Sequence, residues 1–209
     1  MNRKLFAILA AATGAAGLLV GCATTPSDAE ISAKATTMLK SSFVARGQAK
    51  LDRLDQDDAQ KTCSQYAGKP VPKDAVERIE KANLATIKWP ADGKYLGDWK
   101  NGEKIAQEGR GMQYSDNPTG PVGANCYACH QLAPQELSFG TIGPSLYHFG
   151  KARGYGVDIQ KYAYGKIWNA EAYAACSNMP RFGHNGILSE QQVKDVVALL
   201  MDPNSPVNK

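Results

Sequence analysis

Two cysteines and a histidine occupy five consecutive positions near the middle of the chain. Cys126 and Cys129 are separated by two residues, and His130 follows directly. Two thiols at this spacing can add to the two vinyl groups of a haem, while the adjacent imidazole is directed at the iron. The pattern therefore predicts one covalently attached haem c, with His130 as the proximal iron ligand.

The same cysteines are open to two other interpretations. A Cys-x-x-Cys pair also occurs in thioredoxin-like dithiol proteins, but the following histidine and the absence of a βαβ pattern argue against that class. A structural zinc site needs a second pair of ligands. Apart from Cys22 near the N-terminus, the remaining cysteines are Cys63 and Cys176, which are far apart in sequence.

The second axial ligand of the iron must come from elsewhere in the chain. Met179 lies in a loop between predicted helices and is followed by Pro180. A thioether ligand raises the reduction potential of a haem relative to a second imidazole. We therefore predict Met179 as the distal ligand. His148 and His184 are the alternatives, because imidazole also ligates haem readily.

A Gly-Pro pair lies fourteen residues after His130. The backbone carbonyl of Pro144 is placed to accept a hydrogen bond from the imidazole, which would orient the ring and raise its basicity. In the absence of the upstream motif the same pair would be interpreted as a simple turn.

The N-terminus predicts export from the cytoplasm. Two basic residues precede an apolar run over residues 5–20 that is too short and too rich in alanine and glycine for a membrane span. The four residues ending at Cys22 fit a bacterial lipobox, in which that cysteine is acylated. Cleavage after Ala23 is the alternative. We predict a signal peptide over 1–22 and a periplasmic protein that contacts membrane only through a lipid on Cys22.

Cys63 and Cys176 then lie in an oxidising compartment, where disulfides persist. A bond between them would join the N-terminal segment to the loop that carries Met179. By closing so long a loop, it would stabilise the folded state by about 5 kcal/mol through the entropy lost by the unfolded chain. Two unrelated buried thiols are the alternative.

The charge balance gives no support for nucleic-acid binding. The chain has 24 basic and 20 acidic residues, and loss of residues 1–22 removes only Arg3 and Lys4, which leaves 22 basic against 20 acidic and a net charge of +2. Nucleic-acid-binding proteins normally concentrate basic residues in one patch.

The spacing of apolar residues predicts an all-α fold. Residues 23–92 are thinly apolar, and we expect a helical extension that packs on the second half or wraps around a partner chain. Residues 93–209 are predicted to form the haem domain, and Ser189 and Gln192 can form a capping box at its last helix. Helices are predicted over residues 29–42, 52–66, 73–89, 98–108 and 190–201.

The helix before the motif, the motif itself, the Gly-Pro turn, Met179 and the closing helix together resemble class I cytochromes c. Four segments resemble more specifically the SoxX family, the cytochrome subunits of SoxAX complexes: residues 164–169, 175–183, 187–191 and 202–207. The resemblance covers about residues 95–207. It implies a class I cytochrome c-like domain whose haem transfers electrons.

The resemblance to SoxX also implies partners. SoxX pairs with the haem protein SoxA, and the pair, an L-cysteine S-thiosulfotransferase, oxidatively couples thiosulfate to a cysteine of the SoxYZ carrier. The catalytic cysteine is expected on SoxA, and a soluble cytochrome c accepts the electrons. Lys166 and Arg181 would contact the haem rim or the partner, or would simply be solvated. The alternative functions are a free-standing monohaem electron shuttle in respiration and a haem sensor with an open iron position.

Overall fold

The computed structural model describes residues 25–209. Cys22 and the predicted signal peptide lie outside these residues. Between residues 25 and 209 no β-strand is formed, and a single isolated bridge joins Arg46 and Ala49. The prediction of an all-α fold is therefore confirmed.

Seven α-helices occur in residues 25–209, together with three short 3-10 turns. The helices are α1 (Asp28–Ser42), α2 (Asp58–Gln65), α3 (Lys73–Leu84), α4 (Trp99–Gln107), α5 (Phe149–Arg153), α6 (Val157–Trp168) and α7 (Glu190–Met201). The 3-10 turns are Leu51–Leu54, Cys126–Ala128 and Ala170–Ala172. The predicted helix over residues 52–66 is thus a 3-10 turn followed by the shorter α2.

The chain divides into two compact units, one ending at Phe43 and the other comprising Val44–Lys209. In its described part the first unit consists mainly of α1. This helix begins with a capping box between Ser27 and Glu30, and none of its residues is buried. Its exposed apolar side chains include Ile31 and Met38.

The division between the units differs from the predicted one near residue 92. Residues 44–92 belong to the same unit as the haem domain. Ile87 lies in the buried cluster that also contains Trp168 and Leu199. The physical reason is that this segment has too little apolar surface to offset its own ordering entropy, so it packs on the larger core.

Helices α4 and α7 form the scaffold of the second unit. Gly102 of α4 allows the two backbones to approach closely, since a Cβ there would lie 2.1 Å from the carbonyl oxygen of Asp195. The Asp195 carboxylate also accepts a hydrogen bond of 2.9 Å from the Asp98 N–H at the start of α4. This pair of helices is the base from which the cysteine motif extends.

The closing helix α7 is buried on nearly every side. It begins with the predicted capping box between Ser189 and Gln192. Each of its four predicted core residues is buried, and full burial of such a side chain contributes about 1.5–3 kcal/mol before entropy is subtracted. These residues are Val193, Val196, Val197 and Leu200.

Candidate functional site

The cysteine motif forms a tight turn that is tied to the end of α4. The N–H of Ala124 donates to the Ile105 carbonyl over 2.9 Å. Cys126–Ala128 then forms a 3-10 turn, and the N–H of His130 donates to the Cys126 carbonyl over 2.9 Å. Cys126 packs against the buried cluster of the second unit. The turn therefore presents both thiols and the imidazole from one short, hydrogen-bonded stretch.

Cys126 is not the low-pKa thiolate that a dithiol redox centre needs. Burial of its sulfur raises the pKa of the thiol to about 12, so the group is protonated at neutral pH. Reactive dithiols instead have one cysteine with a lowered pKa, because the thiolate is the nucleophile.

A structural zinc site would lack its second pair of cysteine ligands. Cys63 and Cys176 are bonded to each other and are therefore not available as thiolates. Across residues 25–209, no three His, Cys, Asp or Glu side chains come together in a group that could hold a metal ion.

The imidazole of His130 is oriented by a single strong hydrogen bond. Its Nδ1 lies 2.7 Å from the carbonyl oxygen of Pro144. A carbonyl only accepts, so Nδ1 donates this bond, and in the neutral ring the lone pair is then on Nε2. A neutral imidazole in this tautomer is ready to bind a metal through Nε2.

Two glycines hold the Pro144 loop against the motif. A Cβ on Gly143 would lie 2.1 Å from Cε1 of His130, so the ring rests directly on the Gly143 backbone. A Cβ on Gly140 would lie 1.8 Å from the carbonyl oxygen of Ala128. The Gly143 N–H also donates to the Cys129 carbonyl over 2.8 Å. Sequence reasoning found the carbonyl acceptor but missed this requirement for residues without a side chain.

Met179 lies in the loop between α6 and α7, as predicted from the sequence. It is half-buried and packs against the same buried cluster as Cys126. Its N–H donates to the Ser177 hydroxyl over 3.2 Å. The loop is anchored further along, where the Gly183 N–H donates to the Trp168 carbonyl over 3.1 Å.

The two alternative histidine ligands have hydrogen-bond partners of their own. His148 Nε2 donates to the Lys209 carbonyl over 2.8 Å, and the ring stacks on Tyr147. His184 Nδ1 lies 3.1 Å from the Thr86 hydroxyl. Ligation of an iron through either of these bonded nitrogens would break the hydrogen bond that it now makes.

Comparison with known proteins identifies the chemistry of this site. The cytochrome c family matches residues 122–202. An uncharacterised lipoprotein from Aquifex aeolicus (strain VF5) is 40% identical over 160 residues, covering 74% of this chain and 73% of the lipoprotein. The chain carries a cytochrome c domain and belongs to the family of this lipoprotein. Its cofactor is one haem c, attached through Cys126 and Cys129. A haem iron supplies reversible one-electron transfer.

A buried donor in the cytochrome c domain also fits a haem. The indole Nε1 of Trp168 is buried and has no hydrogen-bond partner within residues 25–209. A buried N–H without an acceptor costs about 1–3 kcal/mol, so such groups normally have a partner. A haem carboxylate is an acceptor of the required kind. Sequence analysis did not single out Trp168, because only the fold shows that its N–H is buried.

A disulfide joins Cys63 of α2 to Cys176 in the Met179 loop. The Cα atoms are 5.4 Å apart, within the usual range for this bond. Persistent disulfides of this kind are typical of extracytoplasmic proteins. The bond attaches α2 directly to the loop that carries Met179.

The two basic residues expected at the haem rim or a partner contact are not freely solvated. Arg181 is buried and pairs with Asp57 and Glu171. Lys166 is half-buried, and its Nζ donates to the Ala170 carbonyl over 3.1 Å. Burial lowers the pKa of Lys166 below its ordinary value, and nearby Glu80 opposes this effect.

Proposed function

We propose that this chain is a SoxX-type electron-transfer subunit, with His130 and Met179 as the axial ligands of its haem iron. In this proposal it pairs with a SoxA-like haem protein. The complex couples thiosulfate to a cysteine of a SoxYZ-type carrier and passes the electrons to a soluble cytochrome c.

The observation that carries the proposal is the set of SoxX-like segments around Met179. Three of the four segments are joined by backbone hydrogen bonds in the fold. Residues 164–169 end α6, and the carbonyl of Trp168 accepts hydrogen bonds from Gly183 and His184. The N–H of Ile187 donates to the Phe182 carbonyl over 2.9 Å. Most of the resemblance therefore concerns one connected part of the domain, which contains the proposed distal ligand.

The chemistry of the coupling calls for a separate electron carrier. Joining thiosulfate to a cysteine thiol forms one sulfur–sulfur bond, breaks one S–H bond and releases one proton and two electrons. A domain with one haem accepts one electron at a time. The two electrons must therefore leave in successive steps, which suits a chain that receives electrons and passes them on.

The cysteines of the chain support placing the sulfur chemistry on a partner. Within residues 25–209, Cys63 and Cys176 form a disulfide, and Cys126 and Cys129 attach the haem. None of these four is left as a thiol to carry a thiosulfate group. This supports a division of labour in which the catalytic cysteine belongs to the SoxA-like subunit.

We propose a periplasmic location with a lipid on Cys22. The matched relative is named a lipoprotein, and the lipobox-like residues before Cys22 agree with that name. No helix within residues 25–209 is long and apolar enough to cross a membrane. Residues 23–92 were expected to wrap around a partner; since residues 44–92 lie in the larger unit, we propose that residues 25–43 make the partner contact.

Co-purification of the tagged native protein tests the assignment. We expect a second haem-containing polypeptide to co-elute, and the complex to be reduced when thiosulfate and a SoxYZ-type carrier are both added. The pure chain alone should not be reduced by that mixture. Deletion of residues 25–43 should weaken the complex and leave the haem spectrum unchanged.

A different outcome would favour the second function. If the native chain elutes as a monomer with no haem-containing partner, and thiosulfate with the carrier never reduces it, the SoxX assignment is wrong. The cytochrome c domain would then be that of a free-standing electron shuttle.

A further inference from the structure

Two segments that are far apart in sequence are joined at four points next to Met179. We name residues 57–86 the clamp segment and residues 174–185 the ligand loop. The first point is the Cys63–Cys176 disulfide, three residues before Met179. At a second point, the Ala175 N–H donates to the Glu80 carboxylate over 3.3 Å. The two remaining points lie on the other side of Met179.

Arg181 provides the third point, two residues after Met179. Only 9% of its side chain is exposed, and its Nη2 lies 2.6 Å from the Asp57 carboxylate. Nη1 lies 3.7 Å from the Glu171 carboxylate, which is itself buried. The guanidinium is buried whereas the Asp57 side chain is 43% exposed, and the two are joined by a short, charge-assisted hydrogen bond, which is stronger than a neutral one. The guanidinium thus joins the clamp segment to the ligand loop.

The fourth point is a hydrogen bond that involves Thr86. Its hydroxyl lies 3.1 Å from Nδ1 of His184 in the ligand loop and 3.0 Å from Nδ2 of Asn169. The same Asn169 amide donates to Oδ1 of Asn83 over 2.9 Å. Asn83 and Asn169 are both buried, so these polar groups depend on one another for their hydrogen bonds.

The space between the two segments beside Met179 is lined largely by polar groups. A polar pocket of about 390 Å³ lies between them. The clamp segment contributes Gln60 and Ser64 to its wall, and the ligand loop contributes Ser177, Asn178 and Asn185. Because polar walls supply little hydrophobic stabilisation, the four directed attachments are what join the two segments beside this pocket.

We propose that the clamp segment positions Met179 by holding the ligand loop on both sides of it, with Asp57 and Arg181 as the central positioning pair. This inference rests on the proposed ligation of the iron by Met179. If the ligand loop opened locally, Met179 would be withdrawn from the position in which it would hold the iron. Attachments on both sides of the methionine suppress such opening, because the free energy needed to open a segment locally rises with the number of contacts that hold it.

Asp57→Asn in the haem-loaded protein tests the clamp. Asn caps a helix as well as Asp does, so α2 keeps its N-cap bond to Gln60 while the charge opposite Arg181 is lost. We expect carbon monoxide to bind the ferrous variant at least tenfold faster than the wild type. Amide hydrogen exchange over residues 174–185 should also become faster. The Cys63→Ser/Cys176→Ser double variant removes a different attachment. It should also bind carbon monoxide faster and exchange its loop amides faster than the wild type.

Asp92→Asn is the matched control. The Asp92 carboxylate pairs with Lys194 of α7 over 3.4 Å and accepts a hydrogen bond from the Lys94 N–H, and both partners lie outside the ligand loop. This variant should bind carbon monoxide and exchange the amides of residues 174–185 at the wild-type rates. Met179→Ala lacks the proposed sixth ligand altogether, so it sets the upper limit for the rate of carbon monoxide binding. In one outcome, Met179→Ala binds the gas rapidly while Asp57→Asn and the double serine variant bind it as slowly as the wild type. That result would contradict the proposed role of the clamp segment and support ligation of the iron by Met179. If Met179→Ala is as slow as the wild type, the proposed ligation itself is wrong.

Discussion

Replacement of both Cys126 and Cys129 by serine is expected to give a protein that contains no covalently bound haem. A serine hydroxyl does not form the thioether that a thiol forms with a haem vinyl group, so both covalent links are lost. The change should be all-or-none. It is measured by haem staining of the denatured polypeptide and by the intact mass of the purified chain.

Removal of the other cysteine pair is the control for this experiment. The Cys63→Ser/Cys176→Ser variant alters the same number of thiols, but these cysteines form the disulfide and not the haem attachment. It should retain one covalent haem for each chain. Covalent haem on the Cys126→Ser/Cys129→Ser protein would contradict the assignment of the motif.

Loss of the disulfide is expected to have the largest effect on stability. The bond closes a loop with a sequence separation of 113 residues. Removing a native disulfide of this kind costs about 2–5 kcal/mol, mainly because the unfolded chain regains conformational freedom. For a domain of this size we expect the Tm of the Cys63→Ser/Cys176→Ser variant to fall by roughly 5–15 °C. Thermal unfolding followed by circular dichroism measures the shift.

The redox state of the iron must be kept constant in that comparison. Both proteins are measured in the ferrous state with ascorbate, with and without a dithiol reductant. The dithiol should lower the Tm of the wild type towards that of the variant and leave the variant unchanged. A variant whose Tm equals that of the wild type would show that the disulfide adds nothing to stability.

The features of the site that are local in sequence could be predicted without a structure. The Cys126-to-His130 motif identifies its cofactor by residue type and spacing, and the cytochrome c family match over residues 122–202 agrees with it. The capping box at Ser189 and the buried stripe of α7 were also predicted, because helix signals act over one or two turns. Both kinds of feature depend on residues that are close together along the chain.

Features that depend on distant contacts were predicted less well. The boundary expected near residue 92 lies at Phe43, because the apolar residues of the intervening segment complete a core made mostly by the second half. Periodicity indicates which face of a helix is apolar, but it does not identify the surface that covers that face. The choice between packing on the haem domain and packing on a partner therefore stayed open for residues 44–92.

Arg181 shows why the environment of a charged residue is difficult to predict. From its position after Met179 it was expected at the haem rim, at a partner contact or in solvent. In the structure it is buried between Asp57 and Glu171, which are 124 and ten residues away in sequence. Burial raises the pKa of Glu171, whereas Arg181 opposes that shift. No local pattern in the sequence indicates which carboxylates will meet the guanidinium.

Met179→Ala tests the central claim, that one iron is bound between His130 and Met179. Axial ligands vary the potential of haem proteins over about 0.8 V, and a thioether lies towards the high end. The variant should lose the weak sulfur-to-iron absorption band of the ferric state, and its midpoint potential should fall by on the order of 0.1 V or more. Met38→Ala, at an exposed methionine of α1, should change neither property. A Met179→Ala protein with the wild-type spectrum and midpoint potential would contradict the account.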